Sequence, residues 1–172
     1  MEKEISCGFV LYQKSPEIFF LLLKHPNQGE WEFPKGHQEN SETYYETAKR
    51  ELIEEVNFNA DKDIIVAKKK EQLKSFTYEY KAPSGSSRKM VLFVGMCNKN
   101  PIISSEHRGF AWFKFEEAKK LLKYPEVCNC LEEVYNFVRT DSNVSEWTAF
   151  ESADPSTIIK SCGYSLISSK YS

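Results

Sequence analysis

Apolar residues gather first in two short runs, Ile5–Tyr12 and Ile18–Lys24, parted by a Ser15-Pro16 turn. The second run contains FFLLL with no polar position to alternate against, which predicts a strand covered on both faces. Pro26, Asn27 and Gly29 then mark a loop, and WEFPKG reads as a short extended piece ending at Pro34 and Gly36. From Ser41 to Val56 the period changes. Tyr45, Ala48 and Leu52 recur at spacings of three and four, giving one apolar helical face. Ser41 is the expected N-cap, with Glu42 in the first turn, where negative charge is favoured. Strand patterns return at Ile64–Ala67, Leu73–Tyr80 and Met90–Cys97, the last two joined by the hairpin-type loop APSGSSR, and Phe110–Phe113 adds another. Helical patterns at Phe115–Lys123 and Pro125–Val138 follow, Pro125 being suited to a first helical turn. The expected class is α+β, a mixed β-sheet sandwiched between α-helices.

These elements span residues 1–140, one domain by size. Residues 141–172 differ: they hold nine serines and two brief apolar stretches, Ile158–Ile159 and Leu166–Ile167. The sequence leaves open whether this Ser-rich extension docks or stays partly mobile. The formal net charge of -2 offers no field for a long nucleic acid. An anionic ligand must be captured locally, so a small molecule is the expected partner. The chain has five cysteines, an odd number at no disulfide-framework spacing. The charged start of the chain does not read as a secretory leader, and no apolar run approaches the roughly 18 residues of a membrane span. A reducing, cytoplasmic setting and a monomer are expected.

The chemistry concentrates in GHQENSETYYETAKRELIEEVNF. Arg50, Glu51, Glu54 and Glu55 crowd into less than two helical turns, and residues three or four apart share a helix face. Three converging carboxylates repel one another, and a hard divalent cation such as Mg²⁺ or Mn²⁺ would relieve that repulsion. Arg50 can pair with one of them. An acidic turn alone is commonly just a solvated face. Here it stands at fixed distances from Gly36 and Glu42, and that spacing resembles the box of the Nudix hydrolases, which these positions, with Leu52 and Phe58, fill. The family's usual glycine is Asn57 here. A residue following a helix takes a left-handed conformation, and asparagine tolerates it next best.

The resemblance implies a Nudix fold and hydrolysis of a nucleoside diphosphate linked to a further group, with Mg²⁺ as cofactor and Mn²⁺ able to substitute. It implies that Glu51, Glu54 and Glu55 hold metal, together with Glu106 of EHRGFAW and the backbone of Gly36. Arg50, Glu54, Glu55, Glu106 and His37 are the implied catalytic groups, with Glu42 in support. Gly36 is expected to let the backbone turn sharply into the helix.

FFLLL, WEFPKGH and EHRGFAWFKFEEAKKLL are similar, over roughly residues 5–139, to the branch of asymmetrical diadenosine tetraphosphate hydrolases, whose W-x-P-P-K-G-H carries Phe33 here at one proline. That similarity implies cleavage of a dinucleoside polyphosphate to ATP and AMP. It implies base stacking on Tyr78, or on Tyr80 as an alternative, and on Phe137. It implies phosphate contacts from Lys35 and from Lys89 or Arg88. Removal of pyrophosphate or a cap from RNA 5′ ends, hydrolysis of diphosphoinositol polyphosphates, and a non-catalytic nucleotide-binding module are the competing readings. The third requires missing box carboxylates, and none is missing.

Overall fold

The computed structural model describes residues 3–14, 16–27 and 29–140, so Ser15 of the expected turn and the extension 141–172 lie outside the described residues. In chain order the elements are β1 (Glu4–Lys14), β2 (Ile18–Lys24), β3 (Trp31–Glu32), β4 (Lys35–His37), α1 (Tyr44–Val56), β5 (Ile65–Val66), β6 (Lys68–Lys69), β7 (Gln72–Leu73), β8 (Ser75–Lys81), β9 (Ser87–Met96), β10 (Gly109–Lys114), α2 (Phe115–Leu121) and α3 (Pro125–Thr140). The main sheet runs β10-β2-β1-β9-β5, with β3 on β2, β4 on β1 and β8 on β9. β1 and β9 are parallel and the other pairings in this sheet are antiparallel.

The period of two along each strand divides the apolar residues between two cores. Val10, Tyr12, Phe20, Leu22, Met90 and Leu92 join the cluster that includes Leu131, Val134 and Val138 of α3. Phe9, Leu11, Phe19, Leu21, Val91 and Phe93 join the cluster that includes Ala48, Leu52 and Val56 of α1. Both faces of FFLLL are therefore covered, and the sheet lies between helices as its unbroken apolar run requires.

Two expectations change. The strand Leu73–Tyr80 divides, because Lys68 pairs with Leu73 and Lys69 with Gln72 in a separate hairpin. Its turn is Lys70-Glu71, both at positive φ (51° and 64°). Such two-residue turns favour Asn and Gly, so the sequence carries no signal for this one. The N-cap of α1 is Thr43, not Ser41. Thr43 Oγ1 accepts from the Glu46 N–H at 3.2 Å, and the Thr43 N–H donates to Glu46 Oε2 at 2.7 Å. This reciprocal pair satisfies two free amides, while Ser41 sits before the helix at φ 73°. Glu42 thus precedes the helix instead of occupying its first turn. Thr43→Ala is expected to cost about 1 kcal/mol, a drop of about 2–4 °C in a thermal melt for a chain of this size.

At the other end of α1, Asn57 has φ 58° and ψ 36°. Its N–H donates to the Ile53 carbonyl at 3.0 Å, and the Phe58 N–H donates to the Leu52 carbonyl at 3.3 Å. The left-handed ending implied by its place after the helix is present, closed by asparagine.

Candidate active site

β4 runs beside α1, and one contact sets their spacing. A Cβ placed on Gly36 would lie 2.0 Å from the Glu51 carboxylate. Gly36 does not adopt a positive φ, so the glycine serves close approach and not the sharp turn expected of it. From α1, Arg50 reaches back over this seam. Its Nε donates to Glu42 Oε1 at 2.7 Å and its Nη2 to Glu42 Oε2 at 3.0 Å, a two-pronged pair. Nη1 donates to Glu51 at 2.7 Å and to Glu54 at 3.2 Å, and Nη2 also reaches the His37 carbonyl at 2.9 Å. The hydrogen bonds from Arg50, joined by that from Thr47, hold Glu42 down at about 2.

Around this knot opens an acidic cleft of about 610 Å³, lined by Gly36, His37, Arg50, Glu51, Glu54, Glu55 and Glu106, among others. Burial raises Glu51 above the usual carboxylate range. Burial likewise pushes Glu55 up to about 7, against the opposing His107 and Lys35. Glu55 Oε2 accepts the Lys35 N–H at 2.7 Å. The His37 side chain is largely exposed and lies 3.9 Å from Glu4, so it is chiefly the His37 carbonyl that serves the cluster.

A second cavity, about 430 Å³, opens beside the first between β8, β9 and the start of α3. Tyr78, Tyr80 and Tyr124 supply aromatic surface to it, and Lys81, Arg88 and Lys123 supply positive charge. Tyr78 and Tyr80 lie 6.0 Å apart, and Tyr124 is half exposed. Glu32 and Lys35 line both cavities and form the wall between them. A wider groove of about 850 Å³ over α2 and α3 holds none of the box residues. Its rings, Phe115 and Tyr135, stack on each other with centroids 4.2 Å apart.

The structure therefore gathers Gly36, His37, Arg50, Glu51, Glu54, Glu55 and Glu106 around one cleft, and Lys35, Tyr78 and Tyr80 around its neighbour. Lys89 and Phe137 are not brought there. Lys89 projects from the opposite face of β9, its Nζ 3.4 Å from the Tyr44 hydroxyl. Arg88, one residue earlier, faces the aromatic cavity. Phe137 packs edge-on against Phe76 at 5.9 Å. Sequence reasoning missed Glu32, His107 and Tyr124. Burial works against the Glu32 carboxylate, but the hydrogen bond from His107 and the Lys35 ammonium outweigh it and hold Glu32 at about 2. The buried thiols Cys7, Cys97 and Cys130 are pushed up by burial to about 11, 12 and 12, outside the reactive range.

Among the described residues no three His, Cys, Asp or Glu side chains are already gathered to hold an ion; Arg50 draws Glu51 and Glu54 to itself. The donor set still fits a hard divalent cation. It is made of carboxylate oxygens, two of them disfavoured in the charged form by burial, and a cation would relieve both.

This arrangement, an acidic helix held by an arginine against a glycine strand, is that of the Nudix hydrolases, and the chain belongs to that family: the NUDIX domain matches residues 3–131. It is 31% identical over 139 residues to the asymmetrical bis(5′-nucleosyl)-tetraphosphatase of Caenorhabditis elegans, covering 77% of this chain and 95% of that protein. The Mus musculus protein of the same description is 28% identical over 145 residues, covering 77% and 94%. Among solved structures, a binary complex of the C. elegans Ap4A hydrolase superposes with a TM-score of 0.72 at 25% identity, covering 80% of this chain and 99% of that one. The E. coli dihydroneopterin triphosphate pyrophosphohydrolase shares the fold, with a TM-score of 0.63 at 19% identity over 79% of this chain and 99% of that one. The α+β sandwich expected from the sequence is the Nudix fold, and the chain is a pyrophosphohydrolase of that family, similar to Ap4A hydrolases. Nudix hydrolases in general use divalent metal ions and act on small nucleotide substrates. Among the described residues no helix is long and apolar enough to cross a membrane.

Proposed function

We propose that the protein is a cytoplasmic monomer that hydrolyses dinucleoside polyphosphates with Mg²⁺, Mn²⁺ substituting, and cleaves diadenosine tetraphosphate to ATP and AMP. The observation carrying this reading is the shared wall. The aromatic cavity and the acidic cleft meet at Glu32 and Lys35, so one nucleotide can rest its base on tyrosines while its phosphates cross to the carboxylates. The similarity to asymmetrical tetraphosphatases supports the same substrate.

In this reading Glu51, Glu54, Glu55 and Glu106 would hold the metal, with the Gly36 backbone beside them. A divalent ion held there would supply charge to neutralise phosphate oxygens, acidify the attacking water and stabilise the leaving phosphate. The protein's own groups do the rest. Arg50 fixes Glu51 against Gly36 and ties the helix to Glu42 and to the His37 carbonyl. Lys35, at the wall, offers its ammonium to the polyphosphate, while its backbone N–H orients Glu55. Arg88, Lys81 and Lys123 place positive charge around the base cavity. Stacking is worth about 1–3 kcal/mol per base, so Tyr78, Tyr80 and Tyr124 hold the substrate and the acidic cleft cuts it.

The test is product analysis. Diadenosine tetraphosphate incubated with protein and Mg²⁺ is expected to give equal ATP and AMP by ion-exchange chromatography, faster than triphosphorylated RNA is processed. Two ADP, or an unchanged substrate, would sink the reading. Chelation by EDTA should stop turnover, and added Mg²⁺ or Mn²⁺ should restore it; turnover that survives EDTA would rule out the metal.

A further inference from the structure

Glu55 and His107 are two of only four buried polar or charged side chains among the described residues, and they face each other. The His107 side chain is 3% exposed, with Nε2 3.8 Å from Glu55 Oε1. The same nitrogen lies 3.2 Å from Glu32 Oε1. Each of these carboxylates turns its other oxygen to Lys35: the Lys35 N–H donates to Glu55 Oε2 at 2.7 Å, and Lys35 Nζ lies 3.3 Å from Glu32 Oε2. The four residues close a ring, Glu32–His107–Glu55–Lys35, contributed by β3, the loop before β10, α1 and β4. That loop is pinned to α1 as well, by the Ser104 N–H donating to the Glu55 carbonyl at 3.0 Å. The ring is the wall between the two cavities.

Two carboxylates this close to one another repel, and a donor between them both offsets the repulsion and fixes their direction. Lys35 alone leaves one oxygen of each unrestrained. We infer that His107 is a positioning residue, which clamps Glu55 toward the metal cleft and Glu32 toward Lys35, and so sets the alignment of the acidic cleft with the base cavity. The inference rests on the metal cleft proposed above. A histidine that orients a metal-holding carboxylate acts as an outer partner, and loss of such partners typically weakens metal affinity or activity about 10–100-fold.

His107 enters the ring through Nε2 alone, which is hydrogen-bonded to Glu32 and within ion-pair reach of Glu55. His107 Nδ1 is buried and has no hydrogen-bond partner among the described residues. A glutamine, which places an N–H near the same point, should therefore stand in, and an apolar side chain of similar bulk should not. A packing role would rank the two the other way.

The test compares wild type with His107→Leu, His107→Gln and Glu32→Gln. It reads Mn²⁺ binding from the electron paramagnetic resonance signal of the free ion, the melting temperature, and kcat and KM separately. His107→Leu is expected to weaken Mn²⁺ binding and lower kcat about 10–100-fold, with KM little changed. His107→Gln should recover most of both. Should the leucine variant not fold, Glu32→Gln reads the ring from its other side. It should weaken Mn²⁺ binding while leaving the melting temperature little changed. Wild-type Mn²⁺ affinity and kcat in His107→Leu would overturn the inference. So would a glutamine variant as impaired as the leucine one, or wild-type Mn²⁺ binding in Glu32→Gln. A wild type that binds Mn²⁺ but leaves diadenosine tetraphosphate intact sinks the substrate reading alone, since Mn²⁺ binding still tests His107. A wild type that binds no Mn²⁺ sinks both.

Discussion

Glu55→Gln is expected to lower kcat about 10²–10³-fold, the scale on which removal of one charge-stabilising group acts, while the metal-free protein stays at least as stable as wild type. The two halves of this outcome have one cause. Glu55 is 7% exposed, and a buried carboxylate with carboxylate neighbours costs stability that His107 and Lys35 offset in part and a bound cation would return further. Glutamine keeps the shape and an oxygen to accept the Lys35 N–H, and drops the charge. In a thermal melt, added Mg²⁺ should raise the midpoint of wild type, because a ligand bound only by the folded state stabilises it. The variant should show no such rise. Glu54, whose side chain is 56% exposed, gives the contrast. Glu54→Gln should lose rate without changing the metal-free melt, since an exposed charge carries little desolvation cost. A Glu55→Gln enzyme with wild-type turnover, or one unfolded without metal, would refute the assignment of Glu55 as a metal-holding group.

What could be read from the sequence follows from where each signal resides. The Gly36–Phe58 segment is local: its chemistry lies on one strand, one helix and the loop between, so helical spacing gathered Arg50 and the three glutamates, and the resemblance to the Nudix box joined Gly36 and Glu42 to them. The sandwich was legible for a similar reason, because FFLLL leaves no polar position to face water. The ring around Glu55 was not. Glu32 and His107 are 75 positions apart in sequence, and they meet only because β3 and β10 both pair with β2. Lys89 shows a second kind of limit. With a period of two, a shift of one residue moves a side chain to the other face. The register of β9 is set by its pairing of Arg88 with Glu4 and Tyr80, and not by anything local to APSGSSR. Arg88 consequently faces the aromatic cavity and Lys89 the helix α1. The cap of α1 fell between these cases. Ser41 and Thr43 are both acceptable caps, and only the reciprocal bond with Glu46 selects Thr43.

Tyr80→Ala and Tyr124→Ala are each expected to raise KM for diadenosine tetraphosphate by about 5–150-fold, the range that about 1–3 kcal/mol of lost stacking implies. Their effect on kcat should be small, because the rings sit in the base cavity, beyond the Glu32–Lys35 wall from the carboxylates. Tyr124 is the cleaner probe. It is 50% exposed, so truncation removes little packing, whereas Tyr78 packs against the core of α3 and its loss would confound binding with folding. Phe137 should behave oppositely. Its ring meets Phe76 edge-on at 5.9 Å, with Lys74 Nζ 5.5 Å from its centroid, and it does not line the base cavity. Phe137→Leu should therefore lower the melting temperature and leave KM within about twofold, a change of less than about 0.5 kcal/mol. The discriminating measurement is KM set beside the melt for all three variants. A Phe137→Leu enzyme with raised KM and an unchanged melt would return the second stacking surface to the last helix. Wild-type KM in both tyrosine variants would show that the base lies elsewhere.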